Sequence, residues 1–192
     1  MYKVVKFKKQ ERYINDFLSL PSKLYDKKTI TQNKKDEIKI LNGTHSLSKY
    51  FDVIKYLCYD EEQNVIARAI VTIYPDKKKK EAYVGFFESY DNLQAVKKLF
   101  TTIEKDLKKL SIKKLIGPVN SSFWIGYRMK VDNFNEELYV GEPYNKDYYL
   151  KQFQDNKYKV IEHYTSNIYK TVEYSYINDK YQSRYEDYIK NK

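Results

Sequence analysis

The stretch that decides the fold runs from Tyr83 to Asn120 and reads YVGFFESYDNLQAVKKLFTTIEKDLKKLSIKKLIGPVN. Its first part, Tyr83 to Phe87, is continuously apolar and aromatic, which is typical of a strand buried on both faces. Between Leu93 and Leu110, apolar residues recur at three- and four-residue spacing with lysines between them, and this pattern predicts an amphipathic helix. Leu115 and Ile116 then form a short apolar run ended by a Gly-Pro pair. The stretch therefore predicts a strand, a helix and a second strand.

Two strands joined by a helical crossover are expected to lie parallel in one sheet, with ligand chemistry at the strand ends. Asp91, a short acidic residue just before the predicted helix, is expected to cap its N-terminus. The fold class is therefore mixed α/β.

The rest of the chain predicts further elements on both sides of this stretch. We predict a strand over 2–7, a helix over 10–20 ended by Pro21, a helix over 36–41, and strands over 50–59 and 65–74 in an antiparallel meander. A helix over 146–156 and a strand over 158–169 follow. We expect a single domain over residues 1–170 and a helical tail over 171–192, which serves either as a docking helix or as a homodimer contact.

The net charge of +10 raises the question of a nucleic-acid partner. Only four of the 36 basic residues are Arg, whereas phosphate and base recognition favours the Arg fork. The lysines are also dispersed rather than gathered in one stripe, and an AT-biased genome produces the same composition. We therefore expect no nucleic-acid partner.

The few cysteines and histidines argue against several kinds of site. Cys58 is the single cysteine, so an internal disulfide is excluded, and we predict that it is a small buried hydrophobe rather than a nucleophile. His45 and His163 have no companions at ligand spacing, so we expect no metal site. With no signal peptide and no apolar run of about 18 residues, we expect a cytoplasmic protein without a membrane partner.

Five motifs together suggest a family. They are FLSLPSKLY (17–25), VIARAIVTIY (65–74), GFFES (85–89), GPVNSSFWIGYR (117–128) and EPYNKDYY (142–149). With these motifs in this element order, the chain resembles the GNAT acyltransferase superfamily, and within it a little-characterised bacterial branch. The resemblance implies a mixed sheet of about six or seven strands, mostly antiparallel with a central splayed parallel pair and flanking helices.

The resemblance also implies a site between the strands at Tyr83 and Leu115. There the pantetheine of acetyl-CoA, or of another acyl-CoA, pairs with the first strand, and the pyrophosphate lies on amides at the N-terminus of the following helix. The residues implied to bind this cofactor are Phe86, Phe87, Ser89, Asn92 and Asn120. Asn120 is equally explicable as a turn residue after Gly-Pro. The implied acceptor is a small-molecule amine or a peptide.

Three acid–base candidates follow. Glu88 ends the central strand, where burial would raise its pKa, and is either the general base or a solvated strand-end carboxylate. Many GNAT enzymes have a tyrosine as general acid near the end of the last helix, but Phe153 falls in that place. Tyr149, one turn earlier, and Tyr148 are the possible substitutes, although both are also explicable as core or surface aromatics.

A loop after the second strand contains three substrate-binding candidates, Trp124, Tyr127 and Arg128. An arginine beside two aromatic rings is suited to hold a carboxylate or phosphate on the acceptor or on the cofactor. The alternative interpretation is a packed loop.

The sequence favours two functions, and nucleic-acid binding through the lysines is a third, less favoured hypothesis. The first is an acyl-CoA-dependent N-acyltransferase that acetylates an amine. The loop Glu88 to Asn92 favours another function, because it has two carboxylates and no glycine, and an acidic cap competes with a diphosphate for the same amides. The second hypothesis is therefore a GNAT-like binding or partner module without transfer chemistry.

Overall fold

The computed structural model describes residues 1–75, 80–136, 141–167 and 179–191, and within them a five-stranded sheet with helices on both faces. The strands are β1 (Lys3–Phe7), β2 (Asp52–Tyr59), β3 (Val65–Ile73), β4 (Glu81–Ser89) and β5 (Lys114–Ile116). The helices are α1 (Glu11–Leu24), α2 (Lys34–Asn42), a 3-10 helix (Ser46–Tyr50), α3 (Leu93–Lys109), α4 (Tyr149–Asp155) and α5 (Asp179–Lys190).

The sheet has the order β1-β2-β3-β4-β5, and its first four strands are antiparallel neighbours. The fifth strand lies parallel to β4, with Glu81 opposite Lys114 and Tyr83 opposite Ile116. The predicted mixed sheet, with a parallel pair joined by a helix, is therefore confirmed. The count of five strands in the described residues is lower than the six or seven expected.

The strand predicted over 158–169 is absent from the part of it that the structure describes. Residues 158–167 have no regular secondary structure, and residues 168 and 169 lie outside the described ranges. The β-branched and aromatic composition that suggested a strand indicates only that the segment would fit a sheet. A strand also needs a partner edge, which composition cannot supply.

The N-terminal cap of α3 is Asn92 rather than the predicted Asp91. The Asn92 side chain accepts a hydrogen bond from the backbone N–H of Ala95 at 3.0 Å, and its amide nitrogen donates to the Tyr2 hydroxyl at 2.6 Å. Asn92 directly precedes the first helical residue and has extended backbone angles, which are the requirements of a cap.

Helix α1 continues through Pro21, which was expected to end it. Proline has no N–H, so the carbonyl of Phe17, four residues earlier, loses its intrahelical donor. This carbonyl instead accepts a hydrogen bond at 2.8 Å from Nη1 of Arg68 on β3. The helix tolerates the proline because a buried side chain from the sheet replaces the missing bond.

The sheet separates two apolar layers, and the alternation of β4 side chains places neighbours in different layers. Phe86 packs with the residues of α1 and α2, while Phe87 packs with those of α3 and α4. Both rings are buried, at 6% and 7% exposure. Glu88, the next residue, returns to the α1–α2 side, where it meets Tyr25 at the end of α1.

The chain divides into two compact units. The first, Met1–Lys159, contains the whole sheet and α1 to α4, and the second, Val160–Lys192, contains α5. Across the residues described, no helix combines the length and the apolar character needed to cross a membrane.

Candidate active site

A bulge in β4 sets the position of the site. Arg68 lies opposite Glu88 and Ile70 opposite Gly85, so one residue of β3 faces two residues of β4 between these pairs. Phe86, inside this bulge, has a positive φ of 48°. Bulges of this kind re-aim neighbouring side chains and are frequent next to active sites. Here the bulge is followed directly by Glu88, the candidate base.

Glu88 is bound by two tyrosine hydroxyl groups from different helices. Its Oε2 accepts a hydrogen bond from Tyr25 at 2.7 Å and another from Tyr149 at 2.7 Å. Tyr25 is the C-cap of α1, and Tyr149 is the first residue of α4. The Glu88 side chain is only 17% exposed, so the three groups form a largely buried cluster.

A second carboxylate, that of Glu37 on α2, pairs with Arg68, a buried arginine beside this cluster. Arg68 is 1% exposed and donates to Glu37 through Nη1 at 2.9 Å and Nη2 at 3.0 Å. Its guanidinium also lies 4.3 Å from the centre of the Phe17 ring. Nη2 is 4.0 Å from Oε1 of Glu88, beyond hydrogen-bond length. Because Nη1 and Nη2 of Arg68 are both hydrogen-bonded to Glu37, the positive charge of Arg68 compensates the negative charge of Glu88 only in part.

The environment shifts the pKa values of all three hydrogen-bonded groups upward. Burial raises the pKa of Glu88, and this effect outweighs the opposing influence of the Arg68 charge and of the two tyrosine hydrogen bonds. Burial, together with the charge of Glu88, also raises the pKa of Tyr149 and of Tyr25 well above the usual phenol value. Both phenols therefore keep their protons at neutral pH. The arrangement pairs a carboxylate that can take a proton with a phenol that can give one.

The peptide groups of Ser89 are covered by the two tyrosines at the start of α4. The Ser89 N–H donates to the Tyr149 hydroxyl oxygen at 2.9 Å, and the Tyr148 hydroxyl donates to the Ser89 carbonyl at 2.9 Å. The Ser89 side chain is fully buried and donates to Gln152 at 2.7 Å. The structure thus brings Glu88, Ser89, Tyr148 and Tyr149 together.

Asn120 accepts a hydrogen bond from another backbone N–H group of β4, that of Phe86. Its Oδ1 accepts from the N–H of Phe86 at 2.6 Å, and Val119 N–H donates to the carbonyl of Val84 at 2.8 Å. The two segments approach so closely that a Cβ on Gly85 would overlap the Val119 carbonyl. The groove between β4 and the chain after β5 is therefore filled by the chain itself.

These contacts do not fit acyl-CoA in the extended pose that the sequence suggests. Pantetheine would need the backbone groups of Phe86 and Ser89, which already bind Asn120 and the two tyrosines. At the start of α3, the N–H of Ala95 is capped by the predicted cofactor residue Asn92. The connection from β4 to α3 also contains no glycine, so it offers no open nest of amides for a pyrophosphate.

The predicted substrate residues form a separate group in the loop after β5. Trp124 is 91% exposed. Tyr127 contacts the ring of Phe123 at 5.1 Å. Nη2 of Arg128 donates to both carboxylate oxygens of Glu142 at 2.8 Å, so the guanidinium already binds a carboxylate of this chain.

Sequence reasoning missed Tyr25, Arg68 and Glu37. Two of them carried a signal: Arg68 is a charged residue inside a continuous apolar strand, which requires a buried partner. Glu37 stands three and four residues before Ile40 and Leu41, and therefore on the apolar face of α2. Tyr25 carried no such signal.

Comparison with known proteins shows which solved structures have a similar fold. No protein-family model matches the chain, and no curated protein matches it in sequence. Among solved structures, it is similar to the aminoglycoside acetyltransferase meta-AAC0020 from an uncultured soil metagenomic sample. In the complex of that protein with trehalose the TM-score is 0.52 and the identity 13%, over 90% of this chain and 97% of that chain. In its complex with sisomicin the TM-score is 0.52 and the identity 12%, with the same coverage.

A second similar structure is the aminoglycoside 6'-N-acetyltransferase AAC(6')-Ih from Acinetobacter baumannii. The TM-score is 0.51 and the identity 11%, over 88% of this chain and 99% of that chain. The chain has the GNAT fold. At these identities the similarity shows the fold alone, and the similar structures are acetyltransferases. This fold agrees with the fold that the resemblance implies, and the mixed sheet expected from the sequence is confirmed.

Proposed function

We propose that this chain is an amine N-acyltransferase in which Glu88 is the general base. The observation that carries the proposal is the buried Glu88 carboxylate at the end of β4, which receives the hydroxyl groups of Tyr25 and Tyr149 at 2.7 Å each. The proposed acyl donor is acetyl-CoA or another acyl-CoA, bound in a pose that does not use the backbone groups of Phe86 and Ser89. The proposed acceptor is a small-molecule amine or a peptide. The GNAT fold of the chain supports this reaction class.

The proposed chemistry moves protons between Glu88 and Tyr149. The acceptor nitrogen attacks the acyl carbon and gives its proton to Glu88, whose raised pKa suits it to this task. The bond from the acyl carbon to the leaving group then breaks, and Tyr149 supplies the proton that the leaving group needs. Glu88 returns a proton to Tyr149 along their 2.7 Å hydrogen bond. Tyr25 stays bonded to the carboxylate and orients it.

A second candidate is a GNAT-like binding module without transfer chemistry. The covered backbone groups favour it, because Phe86 and Ser89 cannot pair with pantetheine while Asn120, Tyr148 and Tyr149 hold them. Such a module would use the cluster for structural stability only. Its buried ion pair between Arg68 and Glu37 would then serve the fold rather than a reaction.

The test begins with calorimetric titration of the full chain with acetyl-CoA, beside coenzyme A and an unrelated nucleotide. Transfer is then followed by release of the thiol over a panel of primary amines. Glu88→Gln keeps an oxygen for both tyrosines but removes the base, and we expect it to lower the rate about 100-fold or more. The matched control is Glu62→Gln, an exposed carboxylate in the turn after β2.

The outcomes separate the two functions. Transfer that disappears in Glu88→Gln and persists in Glu62→Gln supports the acyltransferase. Transfer that survives Glu88→Gln removes Glu88 from the role of base. If the wild-type chain transfers no acyl group to any amine, the result supports the binding module instead of the acyltransferase.

A further inference from the structure

The start of α3 is a poor place for an anionic ligand in this chain. Asp91 puts a carboxylate just before the helix, and Asn92 already accepts from the amide of Ala95 in the first turn. A negative side chain and a bound cap both oppose a phosphate at the positive end of the helix. A phosphate-bearing ligand needs cations elsewhere near Glu88.

Two lysines lie on aromatic rings beside the Glu88 cluster. The ammonium of Lys130 is 5.7 Å from the ring centre of Tyr144 and 5.8 Å from that of Phe134. The ammonium of Lys146 is 5.0 Å from the ring centre of Tyr25. The rings of Tyr25 and Tyr144 pack edge to face at 6.1 Å. We call these five residues, Tyr25, Lys130, Phe134, Tyr144 and Lys146, the lysine strip.

One buried side chain binds backbone groups of both lysines. Asn145 is 8% exposed, and its Oδ1 accepts from the N–H of Lys130 at 2.7 Å. Its Nδ2 donates to the carbonyl of Lys130 at 3.1 Å and to that of Lys146 at 2.9 Å. One asparagine thus ties the backbone at Lys130 to its own segment, which lies 15 positions later and includes Lys146. The backbone groups of the two lysines are therefore fixed near each other by the fold.

Within the described ranges, no Asp or Glu lies at ion-pair distance from Lys130 or Lys146, and the nearby Glu142 is held by Arg128. Their neighbours are ring faces, and cation–π attraction at exposed sites is weak compared with a charge-assisted hydrogen bond to phosphate. Both cations are therefore available to an anion.

The lysine strip is connected to Glu88, the proposed base, through Tyr25. Tyr25 donates through its hydroxyl to Glu88 and carries Lys146 over its ring, so one side chain connects the two. We propose that the lysine strip binds the phosphate groups of a ligand whose reactive end lies at Glu88. This inference rests on the proposed function, and the ligand chemistry it names, a phosphate-bearing compound, covers both an acyl donor and a phosphorylated acceptor.

The test compares two pairs of lysines in the full chain. One variant is Lys130→Ala with Lys146→Ala, and the matched control is Lys97→Ala with Lys98→Ala, two exposed lysines near the start of α3. Both variants lose the same charge, so non-specific attraction falls equally. Inorganic pyrophosphate and acetyl-CoA are titrated separately by calorimetry at several salt concentrations. We expect the strip variant to weaken pyrophosphate binding about tenfold or more, and the control to change it little.

Each result decides a separate point. A loss in the strip variant that is recovered in Lys130→Arg with Lys146→Arg supports the site and excludes a folding defect. An equal or larger loss in the control pair, or no pyrophosphate binding by the wild-type chain, overturns the proposal. Pyrophosphate binding at the strip without acetyl-CoA binding leaves the strip in place and counts against acyl-CoA as the donor in the proposed function.

Discussion

Glu88 should make the stability of the protein depend on pH in a defined direction. Burial raises its pKa, so the folded chain binds this proton more tightly than the unfolded chain does. The resulting stability is fully present below the ordinary carboxyl pKa of about 4.3 and is lost as pH rises through the raised value. Glu88→Gln removes this titration. We expect the free energy of unfolding of the wild type, measured relative to that of the variant by urea denaturation, to fall as pH rises from the ordinary carboxyl range.

The control for this prediction is Glu104→Gln, on the exposed face of α3. Its side chain is exposed, so this substitution should change the free energy of unfolding little. A constant difference between wild type and Glu88→Gln across the range would mean that the Glu88 proton is bound equally in the folded and unfolded chains.

Cys58 gives a second prediction from a single residue. The sequence suggested a small buried hydrophobe, and this is confirmed, because its side chain is fully buried and its thiol donates to the carbonyl of Ala95 at 3.6 Å. Burial raises the pKa of the thiol to about 12, so little thiolate exists at neutral pH. We expect a disulfide reagent such as DTNB to leave the native protein unlabelled and to react in step with unfolding as urea is added. Complete labelling without denaturant would contradict the burial.

At the scale of elements, helices and strands were predicted correctly where the hydrophobic pattern of the element itself was sufficient. The strand, helix and strand over 83–120 followed from a continuous apolar run and a 3.6-residue period. Prediction failed where a distant residue decides the outcome. Pro21 was expected to end α1, but Arg68 of β3 compensates for its missing N–H. The strand predicted over 158–169 had suitable residues, yet its described part is not paired with the sheet.

The close approach of β4 to the chain after β5 predicts a sensitive glycine. A Cβ on Gly85 would overlap the backbone carbonyl of Val119, and a backbone atom cannot move aside as a flexible side chain can. We expect Gly85→Ala to lower the free energy of unfolding by about 1–3 kcal/mol or more, by overpacking. The measurement is urea denaturation followed by circular dichroism.

Gly126 offers a matched comparison. A Cβ there would lie 3.0 Å from the side-chain amide nitrogen of Asn120, which can shift. Gly126→Ala should therefore cost less than Gly85→Ala. Equal stability of Gly85→Ala and wild type would show that the two segments can separate without loss.

At the scale of the whole molecule, the candidate site combines residues far apart in sequence. Tyr25 and Tyr149 are separated by 124 positions and meet at one carboxylate oxygen. Glu88 and Tyr149 were within reach of sequence reasoning because each stands at the end of a predicted element or motif. Tyr25, Arg68 and Glu37 were not, because their roles arise only when α1 and α2 pack on β3. The arginine inside an apolar strand and the carboxylate on the apolar face of α2 were the local signs that such a cluster existed.

The fold should need only part of the chain. The compact unit that contains the sheet ends at Lys159, and every residue over 160–167 and 181–191 is exposed. Exposed side chains contribute little apolar burial, so their removal should cost the core little. We expect a chain ended at Lys159 to keep a cooperative thermal transition within about 2–4 °C of the full chain, as for a stability change below about 1 kcal/mol. A transition lowered by much more would place part of the stabilising contacts beyond Lys159 and would favour the single domain proposed over residues 1–170.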